Sequence, residues 1–415
     1  MIKRSMLLVI GILLMTALSS AQETPQWSAY LFDNINYDLI RVSHDGTTEA
    51  FSLGLSDNEY LSQNEITISH DGQLVAYCKT SRDQGNDLKI LVIREIETGN
   101  NLHEITFGTH PACAATAFSE DDTWIALSLV HRNAFDTTGG DAPFWSLRFI
   151  NVETGATDES RILEETDEMM PEFVLFGEDI PLMAHIEQFD DEHIVFLGYP
   201  YVGMGGPSHV PAFDWNFADK TVTELSLEYG RIGNDFLPET GELVYPALDE
   251  SLEAAQPDGP LALANVVNVQ DADGTVNTIY HNEEWVIVNT TFINDGQSIA
   301  VLLLAGFEPG MSPDKTNDLR IDIIDRDGTV TVLDREFDDA LWLENAPGGM
   351  AIFFTPNPSA DFNGTQILLW NGSELELVAE YLPDYSNGWS PPQLIWVTPF
   401  TVDETLPAFT AGVGR

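Results

Sequence analysis

An all-β fold built from one repeated four-stranded antiparallel unit is what this sequence predicts, and three observations carry the prediction. The first is a recurring hairpin: ITISHDGQLVAYCKT (66–80), TAFSEDDTWIALSLV (116–130), IEQFDDEHIVFLGYP (186–200), DFLPETGELVYPALD (235–249) and TFINDGQSIAVLLLA (291–305), with a looser copy in ENAPGGMAIFFTP (344–356). Asp, Gly and Asn supply the turns, and the apolar runs beside them are too short for helices. Marked at Asp71, Asp121, Asp191, Thr240, Asp295 and Gly348, the turns stand about 50 residues apart, with one longer step after Asp121 that holds an insertion. The second observation is that each hairpin is followed by another with its own tight turn, at 88–106, 146–162, 212–227, 262–280, 319–334 and 367–381. The third lies at the ends. DLIRVSHDGTTEAFSL (38–53) is a second-type hairpin preceded by the single strand WSAYLFD (27–33), and QLIWVTPF (393–400) can supply the innermost strand that this unit lacks.

A four-stranded unit at this spacing is the signature of a β-propeller, whose blades pack face to face around a channel. The sequence predicts seven four-stranded blades, with 393–399 antiparallel to 27–33, so that the ring closes inside the first blade and a pair of exposed sheet edges disappears. A six-bladed ring with extra terminal strands is the alternative.

The charge is lopsided: 17 Lys and Arg stand against 67 Asp and Glu, a formal −50. Such a chain repels a phosphate backbone, which excludes nucleic acid as a partner, and it repels anionic lipid surfaces. At the start, Lys3 and Arg4 precede an apolar run from Met6 to Leu18 and small residues at Ser19 and Ala21. This predicts a secretory signal peptide over 1–21 and one domain over 22–415, exported to a periplasmic or extracellular space, monomeric and without a membrane span. In an oxidising compartment Cys78 and Cys113 are expected to form a disulfide, whose loop of about 35 residues would add about 3–4 kcal/mol.

The turn SHDGQLVAY at 69–77, followed by DLKILVIREIETGNNLHEIT at 87–106, resembles the repeat of the TolB-like, WD-related propellers, and the ETG at 97–99 and 153–155 repeats its second half. His70 and Glu120 stand where the commoner turn has proline. The resemblance implies a propeller outside the cytoplasm that serves as a binding scaffold, and no particular ligand.

The chemistry-bearing patterns are sparse. No G-x-S-x-G elbow is present for a serine hydrolase. Ser312 to Lys315 matches S-x-x-K and Ser56-Asp57-Asn58 matches S-D-N, but the K-T-G that would complete a penicillin-binding signature is absent. Neither HExxH nor Cys-x-x-Cys occurs, so no metal ligand set is assigned; His44 and His70 belong to His-Asp-Gly turns, while His131, His185 and His209 fall in longer loops. Calcium is the ion best suited to this chain, because DADG (271–274) and DRDG (325–328) set carboxylates beside glycine, although Val269 and Ile323 occupy the first ligand position of a calcium loop.

Connection length points to a site. The long segments 131–145, 164–184, 199–213, 249–260 and 305–318 all join second to third strands or blade to blade, which places them on one face. They combine aromatic residues and Met with Gly and Pro, a composition suited to recognition. Phe144, Trp145, Tyr199, Tyr201, Met204 and His209, near the third and fourth blades, are the expected binding residues. The sequence thus favours a non-enzymatic scaffold that binds a protein, peptide or saccharide through its long-loop face. A metal-assisted lyase or hydrolase acting on saccharide at the mouth of the ring is the alternative, which would need three converging His, Asp or Glu side chains there.

Overall fold

In the computed structural model the described residues run from 27 to 399, leaving out 34–35, 62–65, 84–85, 109–111, 132–144, 165–181, 190–191, 201–211, 226–234, 238–239, 248–263, 283–284, 295, 306–317, 334–336, 339–341, 347–349, 358–363, 371–374, 382–392 and both ends. Among them every regular element is a strand. The first sheet takes β1 (Trp27–Asp33), β2 (Asp38–Ser43) and β3 (Thr48–Ser52). The second takes β4 (Glu59–Tyr60), β5 (Ile66–Ile68), β6 (Leu74–Asp83), β7 (Asn86–Glu95) and β8 (Asn101–Gly108). The third holds β9 (Ala112–Phe118), β10 (Trp124–Val130), β11 (Trp145–Asn151) and β12 (Leu163–Glu164). The fourth holds β13 (Leu182–Phe189), β14 (His193–Pro200), β15 (Ala212–Asn216) and β16 (Thr221–Leu225). In the fifth are β17 (Asp235–Leu237), β18 (Glu242–Ala247), β19 (Val266–Gln270) and β20 (Val276–His281). The sixth contains β21 (Trp285–Ile293), β22 (Ser298–Ala305), β23 (Asp318–Asp325), β24 (Val330–Val332) and β25 (Phe337–Asp338). The seventh contains β26 (Trp342–Ala346), β27 (Met350–Asn357), β28 (Gly364–Trp370) and β29 (Leu375–Tyr381).

Within each sheet the strands pair antiparallel in chain order, and β30 (Gln393–Pro399) returns to the first sheet beside β1. Its register runs from Trp27 opposite Pro399 to Phe32 opposite Gln393, with an irregularity after Tyr30. Two sheets have an additional short strand. The inner edge of the long β6 is shared by β4 and β5, and the outer edge of β23 by β24 and β25.

Side-chain alternation explains how the sheets meet. On β6, Val75 and Tyr77 face an apolar cluster shared with the first sheet, while Ala76 and Cys78 face one shared with the third. The same division holds elsewhere. Buried clusters join the third sheet to the fourth, the fifth to the sixth, the sixth to the seventh and the seventh to the first. The innermost strands β30, β5, β9 and β13 touch in that order, as do β17, β21, β26 and β30. A disulfide between Cys78 and Cys113, whose Cα atoms are 6.2 Å apart, ties the second sheet to the third.

Several turns opposite the long connections share one arrangement. An Asp side chain accepts the amide two residues on, and the residue between them takes a left-handed conformation: Asp45 with Thr47 across Gly46, Asp71 with Gln73 across Gly72, Asp121 with Thr123 across Asp122, and Asp219 with Thr221 across Lys220. The two segments read as candidate calcium loops belong here. Asp273 accepts the Thr275 amide and Asp327 the Thr329 amide, each at 2.9 Å, with Gly274 and Gly328 at φ 85° and 84°. Hairpin geometry therefore accounts for the Asp-x-Asp-Gly spacing without an ion. His70 also has a structural role, since its ring nitrogen lies 2.9 Å from Asp122 of the next sheet's turn.

Two outcomes follow. Deleting 393–415 strips β1 of one of its two partners and uncovers an edge, so the product should aggregate or melt well below the full chain in a circular dichroism scan; an unchanged melt would contradict the pairing. The threonine amides, with their hydroxyls, hold the Asp45, Asp273 and Asp327 carboxyls below their usual range. Because these values are depressed by folding, the stability they contribute is present above the ordinary aspartate range and is lost as pH falls through the folded values. Carboxyl NMR titrations should show depressed midpoints, with the partner Thr amides shifting at the same pH; ordinary midpoints would contradict the turn assignment.

Candidate binding site on the long-connection face

The residues expected from sequence are placed unevenly. Trp145, the first residue of β11, is 1% exposed. It packs edge-on against Phe196 at 5.4 Å, between the third and fourth sheets. It is therefore core and no partner can reach it, which corrects its assignment as a binding residue. The alternation of Trp145, Leu147 and Phe149 points all three side chains to the fourth sheet. Tyr199 sits in β14 opposite Met183. Phe144, Tyr201, Met204 and His209 lie outside the described residues, as do Ser312 and Lys315.

His131 and Ser146 meet at the same end of the third sheet, with Nε2 and Oγ 2.7 Å apart. Burial, assisted by Arg148, lowers the histidine's pKa. This is the spacing of a nucleophile and its base, but Ser146 is fully buried, so the bond satisfies two polar groups between sheets. Among the described residues no three His, Cys, Asp or Glu side chains converge as a metal site would need.

A groove of about 610 Å³ does open on this face, where the first sheet meets the second. Its walls come from the β1–β2 turn (Asn36, Tyr37), the connection into β4 (Leu55 to Asn58) and the end of β6 (Arg82). Hydrogen bonds fix that connection at both ends. The Leu53 carbonyl accepts the Tyr77 hydroxyl at 2.7 Å and the Arg94 guanidinium at 3.0 Å, while the Arg82 amide donates to the Asn58 carbonyl at 2.9 Å. The Leu53 amide donates to Tyr37, which occupies a left-handed conformation at φ 54°. A tyrosine in that region is uncommon and is held by its surroundings.

Charge in the groove is nearly balanced. Glu59 meets Lys79 at 2.8 Å, with both side chains largely buried. Burial pushes the Glu59 carboxyl up, but the Lys79 ammonium and the Ser56 amide outweigh it and hold the group below the usual carboxylate range. Arg82 stacks over the Tyr60 ring at 4.6 Å and reaches Asp87 only at 3.7 Å, with 65% of its side chain exposed. Sequence reasoning missed this site because it favoured long connections. The short Ser56-Asp57-Asn58 segment stands out in the sequence only as a motif fragment. Tyr60 and Arg82 are brought together by register, since Tyr60 pairs with Thr80 two residues before Arg82.

No protein-family model matches this chain, and no curated protein sequence matches it. Solved structures do. An oligogalacturonate lyase in complex with manganese aligns with TM-score 0.51 at 12% identity, over 88% of this chain and 86% of that one. An oligogalacturonate lyase from Vibrio parahaemolyticus aligns with TM-score 0.50 at 10% identity, over 88% and 87%. Prolyl oligopeptidase B from Galerina marginata aligns with TM-score 0.53 at 9% identity, over 88% of this chain but 52% of that protein. At such identities the likeness is one of fold, the β-propeller, and carries nothing of activity.

Replacing Trp145 by Ala removes a buried ring from the interface of the third and fourth sheets and should cost about 3–5 kcal/mol in urea unfolding. A loss under about 1 kcal/mol would return Trp145 to the surface.

Proposed function

We propose that this chain is an exported, TolB-like propeller of seven blades that serves as a binding module for a protein, peptide or saccharide through its long-connection face. The seven sheets are its blades. Six of the seven consecutive sheet pairs share a buried apolar cluster among the described residues, and β30 pairs with β1, which together support a closed ring. Val195 of the fourth sheet and Leu243 and Tyr245 of the fifth are also buried, each on the face turned away from the cluster its sheet shares with its other neighbour. That is the arrangement a seventh junction requires. The apolar leader supports export, and no helix among the described residues is long and apolar enough to cross a membrane.

The observation that carries the functional reading is the asymmetry of the two faces. One carries turns whose polar side chains are engaged in their own backbone bonds; the other carries the long connections and the groove. Recognition belongs on the second, where loops of varied length stand on a rigid support. The test is blocking by position. A bulky polymer attached at Glu164→Cys, on the long-connection face, should abolish recovery of partners from the secreted fraction, whereas the same polymer at Asp273→Cys, on the turn face, should leave it intact. Equal recovery from both, or loss only with the second, would overturn the reading.

A further inference from the structure

Resting on that reading, we propose that the groove between the first and second sheets is a site for an uncharged, hydroxyl-rich ligand, a saccharide. Volume is the first argument. At about 610 Å³ the groove falls within the roughly 300–1,000 Å³ of small-molecule sites, which is room for a short oligosaccharide.

Charge is the second. The chain carries −50 overall, a field that disfavours anionic ligands. A cationic ligand would need an acidic lining, and the groove does not offer one. Glu59 has both carboxylate oxygens engaged, one by Lys79 at 2.8 Å and one by the Ser56 amide at 3.0 Å. That leaves Asp57 and Arg82 as the lining charges, one of each sign, with Asp87 3.7 Å from Arg82 and the Lys89 ammonium 5.8 Å from the Tyr60 ring, again one of each sign. A groove neutral in sum within so acidic a protein selects for neutral ligands.

The lining groups are the third. Tyr60 with the guanidinium stacked on it gives a flat wall, and Tyr37 gives a second aromatic side chain. Such surfaces cover the C–H faces of a sugar ring while hydroxyls need donors and acceptors around their edges. Those are present as the Asn36 and Asn58 amides, the Asp57 carboxylate and the Arg82 guanidinium. Asn36 is already oriented, because its side-chain N–H donates to Asp33 at 2.9 Å and fixes the amide plane. The 53–60 segment is held by the bonds to Tyr77, Arg94 and Arg82, so little ordering remains to be done on binding.

The experiment uses the mature chain, residues 22–415, titrated calorimetrically with neutral β-linked gluco-, manno- and xylo-oligosaccharides, an oligouronate and an uncharged peptide. At least one neutral oligosaccharide should bind, with an affinity that does not change between low and high salt and that falls about tenfold or more in Tyr60→Ala and Asp57→Ala. Glu164→Gln, outside the groove, should bind as wild type. Should Tyr60→Ala fail to fold, side-chain amide signals of Asn36 and Asn58 in the wild-type NMR spectrum must shift on saturation. Binding of none of the neutral sugars overturns the proposal, as does binding indifferent to Tyr60 and Asp57, or a preference for uronate or peptide. In those cases the blocking experiment still decides whether the face itself binds, so the two failures are separable.

Discussion

Among the described residues the inner strands of these sheets bury apolar side chains on both faces, and the rest of the structure depends on that. A strand such as β1, buried along its whole length, cannot belong to a sheet with one wet side. Each sheet must therefore find two neighbours, and a linear stack would leave the end sheets each with one face bare. The seventh sheet meets the first through Trp27, Ile40, Ile367 and Ala379, which covers one face of each. The return of β30 to β1 serves the same end in hydrogen bonds, since the two ends of the chain complete one sheet.

Burial on both faces also dictates where charge can go. With 67 acidic residues and apolar sheet interiors, carboxylates are favoured at turns, rims and connections; Asp322, buried in β23, is held by the Tyr280 hydroxyl and the Arg320 guanidinium. The turn face turns this to use, because aspartates accept backbone amides that a tight turn would otherwise leave unpaired. Two of the arginines are placed where sheets meet. Arg41 pairs with Glu49 and with Glu97 of the next sheet, and Arg326 reaches Glu242 of the preceding sheet through two bonds of 2.9 Å. Arg82 differs from them. It stands largely exposed over Tyr60 at the mouth of the groove, which is why the groove attracts a functional reading.

Much of the fold was legible in the sequence because its signals are local. SHDGQ and SEDDT announce a turn whose Ser69 and Ser119 hydroxyls accept the Leu74 and Trp124 amides, and the apolar runs on either side have strand length. The need of WSAYLFD for an inner partner could likewise be read from what was missing. The site was less legible. Trp145 follows an aromatic and glycine-rich segment and was grouped with it, although W-S-L-R-F alternates as a strand facing its neighbour. Tyr60 and Arg82 are 22 positions apart and become a stacked pair only through the register of β4 on β6, which no periodicity announces. DADG and DRDG resemble ion loops because calcium loops and tight hairpins ask for the same residues, a carboxylate and a glycine with positive φ.

The proposal that the seven sheets form one uninterrupted ring is tested most directly at the junction between the fourth and fifth sheets. In methyl NMR of residues 22–415 with a soluble paramagnetic agent, the account predicts that the methyls of Val195 and Leu243 stay as protected as those of Ile125 and Ile299, with cross-relaxation between methyls of the fourth and fifth sheets. Rapid bleaching of Val195 and Leu243, with no contact between those sheets, would mean an open stack and contradict the account.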